Sequence, residues 1–452
     1  MKQLIHRILL FAALLASYTV YSQPDWTVIK SNATFVVADT SYGMPYVQPI
    51  NVGGWEDGLF ITRDGKHLFS TYIPIDLLSW YNDFILNPAC FNFNPYYRPP
   101  LLGIDTLTNP YSCSNYIQSD IITSSRADTS QPFNAWQSSG LAMPVTMEGG
   151  SQGVLKNADT FDLFVFTRDL GDAQHTDIYF MKDVPVNPNQ TSAVAILSSA
   201  GQEDNPHIER LNDSSLILFF DRDRYIYYSK STDNGANWQP PVLITNVLND
   251  QAPYDVQPHL WNDGTDWWVY FCADNSNSGK RAIYKSKQQT AGDWNSWGPK
   301  ELVIEGGSIT GGSGIIAGVG EPTLTQWGDL SFVVIYGDLT SGDTTDVFDC
   351  DPWFLPRKNS PLSTISSKTP SANKKLLISP NPANAFALLS FSNPANEQYR
   401  VNVSDISGKK IISEEWLTGS QYRLNTNKLE KGIYFVELLF NDKSYNSRLV
   451  IE

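Results

Sequence analysis

The chain has 452 residues, a formal net charge of −15, and 13% aromatic against 17% charged residues. This acidity argues against nucleic acid and anionic membrane as partners, because both are bound through basic patches. An aromatic-rich, weakly charged chain of this length reads as all-β, with too much core for one small domain.

At the N-terminus, Lys2, His6 and Arg7 precede the apolar run Ile8–Ala16, and Val20-Tyr21-Ser22 offers small or tolerated residues before Gln23. This is the layout of an export signal over residues 1–22. The run is too short to span a bilayer and no other long apolar run follows, so the mature chain is expected outside the cytoplasm without a transmembrane segment. Cys90, Cys113, Cys272 and Cys350 can pair in three ways in an exported chain. Cys90 with Cys113 is the favoured pair because both lie in one insertion; free buried thiols are the alternative.

Residues 23–357 carry a repeat. Five segments share a polar residue, then Gly or Pro, then any residue, then a large apolar one: "DGLF" from Asp57, "QGVL" from Gln152, "NPHI" from Asn205, "QPHL" from Gln257 and "EPTL" from Glu321. A turn signal and a strongly apolar strand follow each ("HLFSTY", "DLFVF", "LILFF", "WWVYF", "LSFVVIY"). A third strand follows in each ("DIITSS", "DIYFM", "YIYYS", "AIYKS", "DVFDC"), and fourth strands are expected at Val145–Met147, Val194–Leu197, Val242–Ile244 and Leu302–Ile304. Four short strands per repeat predict the blades of a β-propeller. Five blades are expected, with six as the alternative. The fifth repeat lacks a fourth strand, and Tyr46–Gly54 is expected to supply it, closing the ring. The long first interval marks an insertion at about Asp76–Cys113, expected to hang over the funnel as a lid.

The funnel is expected to be lined by the residues that open each first strand. Asp57 and Glu321 come from neighbouring blades and form the expected acid–base pair, with Asp204 as a third catalytic candidate. Two carboxylates on a shared cavity suit glycoside hydrolysis. Gln152, Asn205, Gln257, His207, His259 and Asp255 are the expected substrate-binding residues, since amides and imidazoles suit sugar hydroxyls. No cofactor is required by this chemistry; a calcium ion among the Asp-rich loops is left open.

The stretch "STDNGANW" (Ser231–Trp238) lies between the third and fourth strands of the third repeat. It resembles the Asp-box of sialidase-like propellers, and "FITRDGKHLFSTY" (Phe60–Tyr72) is similar to the TolB-type repeat. The resemblance implies a propeller, with Asp233 as a turn staple on the face away from the funnel. Sialidase activity is not implied: no Arg-Ile-Pro is present and no arginine occupies the ring positions. The five-bladed arabinanase and xylosidase type of glycosidase uses an Asp at the opening of blade one and a further Asp and Glu. By that analogy the roles fall to Asp57, Asp204 and Glu321.

Residues 358–374 are rich in Ser, Thr, Pro, Asn and Lys and read as a linker. Residues 375–452 then show alternating strands with Gly408 and Gly432 at turns, a small β-sandwich. Pro380-Asn381-Pro382-Ala383, Asp405–Ile411, Lys431-Gly432-Ile433-Tyr434 and Arg448–Ile451 resemble the type IX secretion sorting domain of Bacteroidetes. The resemblance implies passage across the outer membrane, then release or surface attachment, with the type IX machinery as a partner. Two functions follow: recognition or processing of extracellular carbohydrate at the funnel, or a non-catalytic surface scaffold engaging protein or glycan.

Overall fold

The computed structural model describes residues 24–451 apart from 49, 87–95, 99, 106–118, 130, 142–145, 170–175, 189–192, 251–254, 310–313, 341–345, 362–375, 380, 384–385, 392–397, 406–408, 418–420 and 441–443. The expected export signal, Cys90, Cys113 and most of the expected linker lie outside the described residues. The chain divides into two compact units, Met1–Ser363 and Thr364–Glu452.

The first unit is built of antiparallel strands paired in chain order. Helix α1 (Trp26–Ser31), capped by Asp25 through Val28 N–H, precedes β1 (Ala33–Val37) and β2 (Tyr46–Val47). Then come β3 (Trp55–Ile61), β4 (His67–Ile73), helix α2 (Leu77–Leu86), β5 (Asp120–Ser125) and β6 (Gln137–Ser138). A second set is β7 (Met147–Asn157), β8 (Thr160–Asp169), β9 (Asp177–Pro185) and β10 (Val194–Leu197), and a third is β11 (Glu203–Arg210), β12 (Leu216–Arg222), β13 (Tyr225–Ser231) and β14 (Val242–Leu243). A fourth is β15 (Val256–Asn262), β16 (Trp267–Asn275), β17 (Lys280–Lys287) and β18 (Glu301–Ile309), with β1 added outside β18. The last set is β19 (Gly314–Leu324), β20 (Leu330–Asp338) and β21 (Phe348–Leu355).

Tyr46 and Val47 of β2 pair with Phe354 and Trp353 of β21, where a fourth strand for the last set was expected. The last set also lies against the first, with Cys350 bridging Trp55 and Thr323 Oγ1 accepting from Ile61 N–H at 3.2 Å. One expected strand is corrected. The fourth strand of the first set is β6, and Met147 instead begins β7, whose Glu148 is fully buried.

The second strand of each set is apolar on both sides because each is sandwiched between neighbours. Alternate residues of β12 show this. Leu216, Leu218 and Phe220 pack with Leu163, Val165 and Phe180 of the second set, whereas Ile217 and Phe219 pack with Leu260, Val269 and Phe271 of the fourth. Each such side chain contributes about 1.5–3 kcal/mol on burial.

The turn at Ser231–Trp238 ties the third set to the second. Asp233 accepts from Asn237 N–H at 2.9 Å, from Asn237 Nδ2 at 2.7 Å and from the Ser231 hydroxyl at 2.8 Å. These donors hold its carboxyl near a pKa of about 2. Trp238 meets Phe180 edge-on at 6.0 Å, and Lys182 donates to Asn234 O at 3.0 Å. Cys272 and Cys350 are buried free thiols.

In the second unit, β22 (Leu377–Ser379), β23 (Phe386–Ser390) and β26 (Gln421–Asn425) form one sheet. The other sheet comprises β24 (Tyr399–Asp405), β25 (Lys410–Leu417), β27 (Gly432–Leu439) and β28 (Ser444–Ile451). Leu389, Val401, Val436 and Leu449 share one core between them.

Each first strand of the large unit carries a bulge. Register slips occur between Asp57 and Phe60, Gly149 and Gln152, Asp204 and His207, Val256 and His259, and Gly320 and Thr323. The residue after each first-named position is left-handed, with φ of 56° at Gly58, 53° at Gly150, 49° at Asn205, 62° at Gln257 and 56° at Glu321. At Gly58 a Cβ would also collide with the Thr71 hydroxyl. Gly58→Ala is therefore expected to destabilise the protein by about 1–3 kcal/mol or more, read as a lower urea midpoint.

Candidate functional site

The bulges fix the register of the site and correct the repeat as read from sequence. Gly58, not Asp57, is the structural counterpart of Asn205, Gln257 and Glu321. Asp57 is one step earlier and matches Asp204: both stand just before the left-handed residue, and their cross-strand partners are Thr71 and Asp221. Gln152 is two steps later, level with His207, His259 and Thr323. The shared sequence pattern misled because glycine itself takes the left-handed position in the first two sets, whereas in the last three a proline follows it.

All five left-handed residues line one narrow cavity of about 20 Å³, room for roughly a single water. Gln152 lines it as well. A larger cavity of about 400 Å³ opens beside it, lined by Asp204, Asn205, Asp221, Asp223, Arg224 and Arg281 among others.

Four carboxylates meet here. The Glu321 carboxyl lies within hydrogen-bonding reach of Asp57, and Asp204 and Asp221 add their charges to it. Burial and these like charges raise the Glu321 pKa well above the usual carboxylate range. Gln257 clamps Glu321: its Nε2 donates to Oε1 at 2.5 Å, and its Oε1 accepts from Glu321 N–H at 3.2 Å. Asp57 accepts from Trp55 Nε1 at 3.0 Å. Asp221 is 3% exposed, accepts from Asn205 Nδ2 at 2.7 Å and Gln257 N–H at 2.9 Å, and is raised well above its usual value, chiefly by burial.

Asp204 is reached by solvent although protein surrounds it, as expected for a side chain recessed in a funnel. Its pKa is raised to about 6: desolvation is the larger cause, the Asn205 N–H bond at 2.8 Å opposes it, and the Asp57 charge adds to it. Asp57 is near enough to Glu321 to raise its pKa through both charge and hydrogen bonding.

Other expected binding residues lie elsewhere. Asp255 is fully buried, with Lys300 Nζ at 3.8 Å. His207 and His259 are 3% and 2% exposed, with ring centroids 4.1 Å apart and planes tilted by 58°, one layer below the carboxylates. His259 Nε2 accepts from Leu324 N–H at 3.1 Å, and burial beside His207 and Arg63 keeps it neutral. Arg63, paired with Glu209 and donating to Leu324 O at 2.9 Å, plugs this layer. Asp221 is the site residue that ranking by first strands undervalued; its signal is the Asp at the end of the apolar run "LILFFD".

The insertion is anchored at this end. Asp76 accepts from Val347 N–H and Phe348 N–H, both at 2.9 Å, and Arg98 pairs with Asp346 at 2.6 Å. Tyr81 on α2 accepts from Arg224 Nη2 at 2.9 Å, reaching from the first set to the third. Among the described residues no group of three or more His, Cys, Asp or Glu side chains is arranged to hold a metal ion.

The tail is decided by family. Residues 377–452 match the secretion system C-terminal sorting domain. The chain carries an export tail. It is thereby exported, to the cell surface or through the outer membrane, and the tail engages the type IX secretion machinery. Among the described residues no helix is long and apolar enough to cross a membrane.

No curated protein matches the chain in sequence. Among solved structures, the catalytic domain of an α-L-arabinofuranosidase from Coprinopsis cinerea is 13% identical, covering 73% of this chain and 99% of that one, with a TM-score of 0.42. The Bacillus subtilis arabinanase Arb43A is 8% identical over 69% and 95%, TM-score 0.39. Sucrose-6-phosphate hydrolase from Lactobacillus gasseri is 13% identical over 95% and 93%, TM-score 0.39. These superpositions are too loose to carry function across.

The raised Asp204 pKa has a stability consequence. With the folded pKa above the unfolded one, the folded state binds the proton more tightly between about pH 4 and 6. The charged form therefore costs stability above about pH 6, and that cost vanishes below the unfolded pKa. Asp204→Asn is expected to raise the urea midpoint at pH 7.5, with the gain shrinking toward pH 4.

Proposed function

We propose that the first unit is a five-bladed β-propeller, with the tail a small sandwich, and that it hydrolyses extracellular carbohydrate at the funnel. One observation supports this reading above the others. Two of the buried acids that precede the re-aimed positions are met by cations, Glu148 by Arg168 and Glu203 by Arg222, both at 2.7 Å, while Glu56 accepts from the Trp136 indole. Asp57, Asp204, Asp221 and Glu321 instead receive hydrogen bonds from neutral donors: an indole, two backbone N–H groups, and amides. Burial raises Glu321 and Asp221 well above the usual carboxylate range and Asp204 to about 6, the separation of protonation states that general acid–base work requires.

In this reading Glu321, which holds its proton, donates to the leaving glycosidic oxygen. Asp204, ionised above about pH 6, takes the proton of the attacking water. Asp57 accepts from Trp55 and keeps the Glu321 proton in place. The sugar's hydroxyls meet Asn205 and Gln257.

The full chain is to be incubated with plant and host polysaccharides, and released reducing sugar measured. Glu321→Gln is expected to lower kcat/KM by about 10²–10⁴ on unactivated glycosides and far less on aryl glycosides whose leaving group needs no acid. Activity of the wild type should rise through about pH 6 as Asp204 ionises. No release from any substrate, with glycan or protein binding unchanged in Glu321→Gln and Asp57→Asn, would make the propeller a surface binding module instead.

A further inference from the structure

The 400 Å³ cavity has a chemical character that hydrolysis alone does not explain. The chain is acidic overall, yet two guanidinium groups, Arg224 and Arg281, line this cavity. Arg224 stands in the two-residue turn between β12 and β13, where Asp223 and Arg224 are both left-handed, with φ of 50° and 66°. Such turns favour Asn-Gly, and a long side chain there carries backbone strain. The turn is held by Gln202 N–H donating to Asp223 Oδ1 at 3.1 Å.

The hydrogen bond described for Arg224 goes to a neutral phenol, Tyr81, so most of its five donors and its full charge remain for the cavity. Arg281 Nη1 donates to Asp274 Oδ1 at 3.3 Å. Asp221 lines the same cavity, and its Oδ1 is buried without a hydrogen-bond partner. A buried polar atom left unpaired beside a cavity of ligand size points to a ligand group that completes it.

We infer that the cavity takes a sugar ring bearing an oxyanion substituent, a carboxylate or a sulfate ester. Arg224 and Arg281 hold that substituent, and Asp221 Oδ1 exchanges a hydrogen bond with a ring hydroxyl. Guanidinium forks suit both oxyanions, because each presents two oxygens to parallel N–H donors. The inference rests on the proposed function only in placing the glycan at this funnel.

The test is a glycan array carrying uronate-bearing, sulfated and neutral oligosaccharides, probed with the full chain, followed by titration calorimetry on the bound glycans. Binding is expected to be confined to uronate-bearing or sulfated members, and the two arms separate carboxylate from sulfate. Carboxyl reduction or desulfation of the bound glycan should abolish binding. Arg224→Ala and Arg281→Ala should each weaken it about tenfold to a hundredfold, with unchanged thermal midpoints, and Arg224→Lys should restore part of it.

Neutral glycans bound as tightly as anionic ones, or arginine variants that bind like wild type, would overturn the inference. Hydrolysis of neutral glycans that is lost in Glu321→Gln would then leave the proposed function standing. No bound or cleaved glycan at all would remove both.

Discussion

The funnel depends on one backbone device, the left-handed residue that opens a bulge in each first strand. In a regular strand consecutive side chains face opposite ways; a bulge puts two residues opposite one and re-aims what precedes it. The backbone N–H that the bulge frees is then taken by the neighbouring set. Thr71 Oγ1 accepts from Gly150 N–H at 3.3 Å and Asp221 Oδ2 from Gln257 N–H at 2.9 Å. At the last junction the side chain of Gln257 does this work, accepting from Glu321 N–H. Adjacent sets are thus latched at the level where the side chains converge. Asn205, Gln257 and Glu321 take a left-handed conformation that glycine would adopt without strain, so their side chains are kept at a cost to the backbone.

The same device sorts the acids into two layers. Glu56, Glu148, Glu203 and Asp255 precede the re-aimed position and point into the protein. There an unpaired charge would be costly, and Arg168, Arg222 and Lys300 or the Trp136 indole meet them. Asp57 and Asp204 are one residue later and face the axis, where solvent enters and neutral donors suffice. A shift of one residue separates an acid that holds the structure together from one that can trade a proton. Beneath them lie the buried His207 and His259, with Arg63 Nη1 3.3 Å from His259 Nε2.

Strand order was legible in the sequence because each second strand is buried on both faces, and runs such as "LILFF" and "LSFVVIY" have no other explanation in a chain with so few charges. The pairing of β2 with β21 was legible from a missing fourth strand. Asp57, Asp204 and Glu321 were named from sequence and do meet. Their register was not legible, because a bulge inserts a residue without a compositional mark: Gly58 and Asn205 are equivalent in φ and unlike in chemistry. His207 and His259 were placed in the funnel by the same slip and Asp255 by its proximity in sequence to Gln257, whereas Gln152 does line the narrow cavity, two steps from its expected register. Asp57 and Glu321 were expected as neighbours; the clamp of Glu321 by Gln257 is something pairing rules do not foresee.

Stability and chemistry are kept at different ends of the large unit. The Ser231–Trp238 turn spends its polar groups on itself: Asp233 is saturated by Asn237 and Ser231, and a saturated carboxylate with a depressed pKa has nothing left to offer a substrate. At the funnel the accounting is reversed. Asp221 keeps an oxygen unpaired, Glu321 keeps a proton that burial and its neighbours will not let it lose, and Arg224 turns a strained backbone toward the opening. A fold that needed only to persist would exchange each of these for an apolar or satisfied group. They gather instead around two adjoining cavities, Glu321 at the narrow one and Asp221 and Arg224 at the larger, on which the proposed function rests.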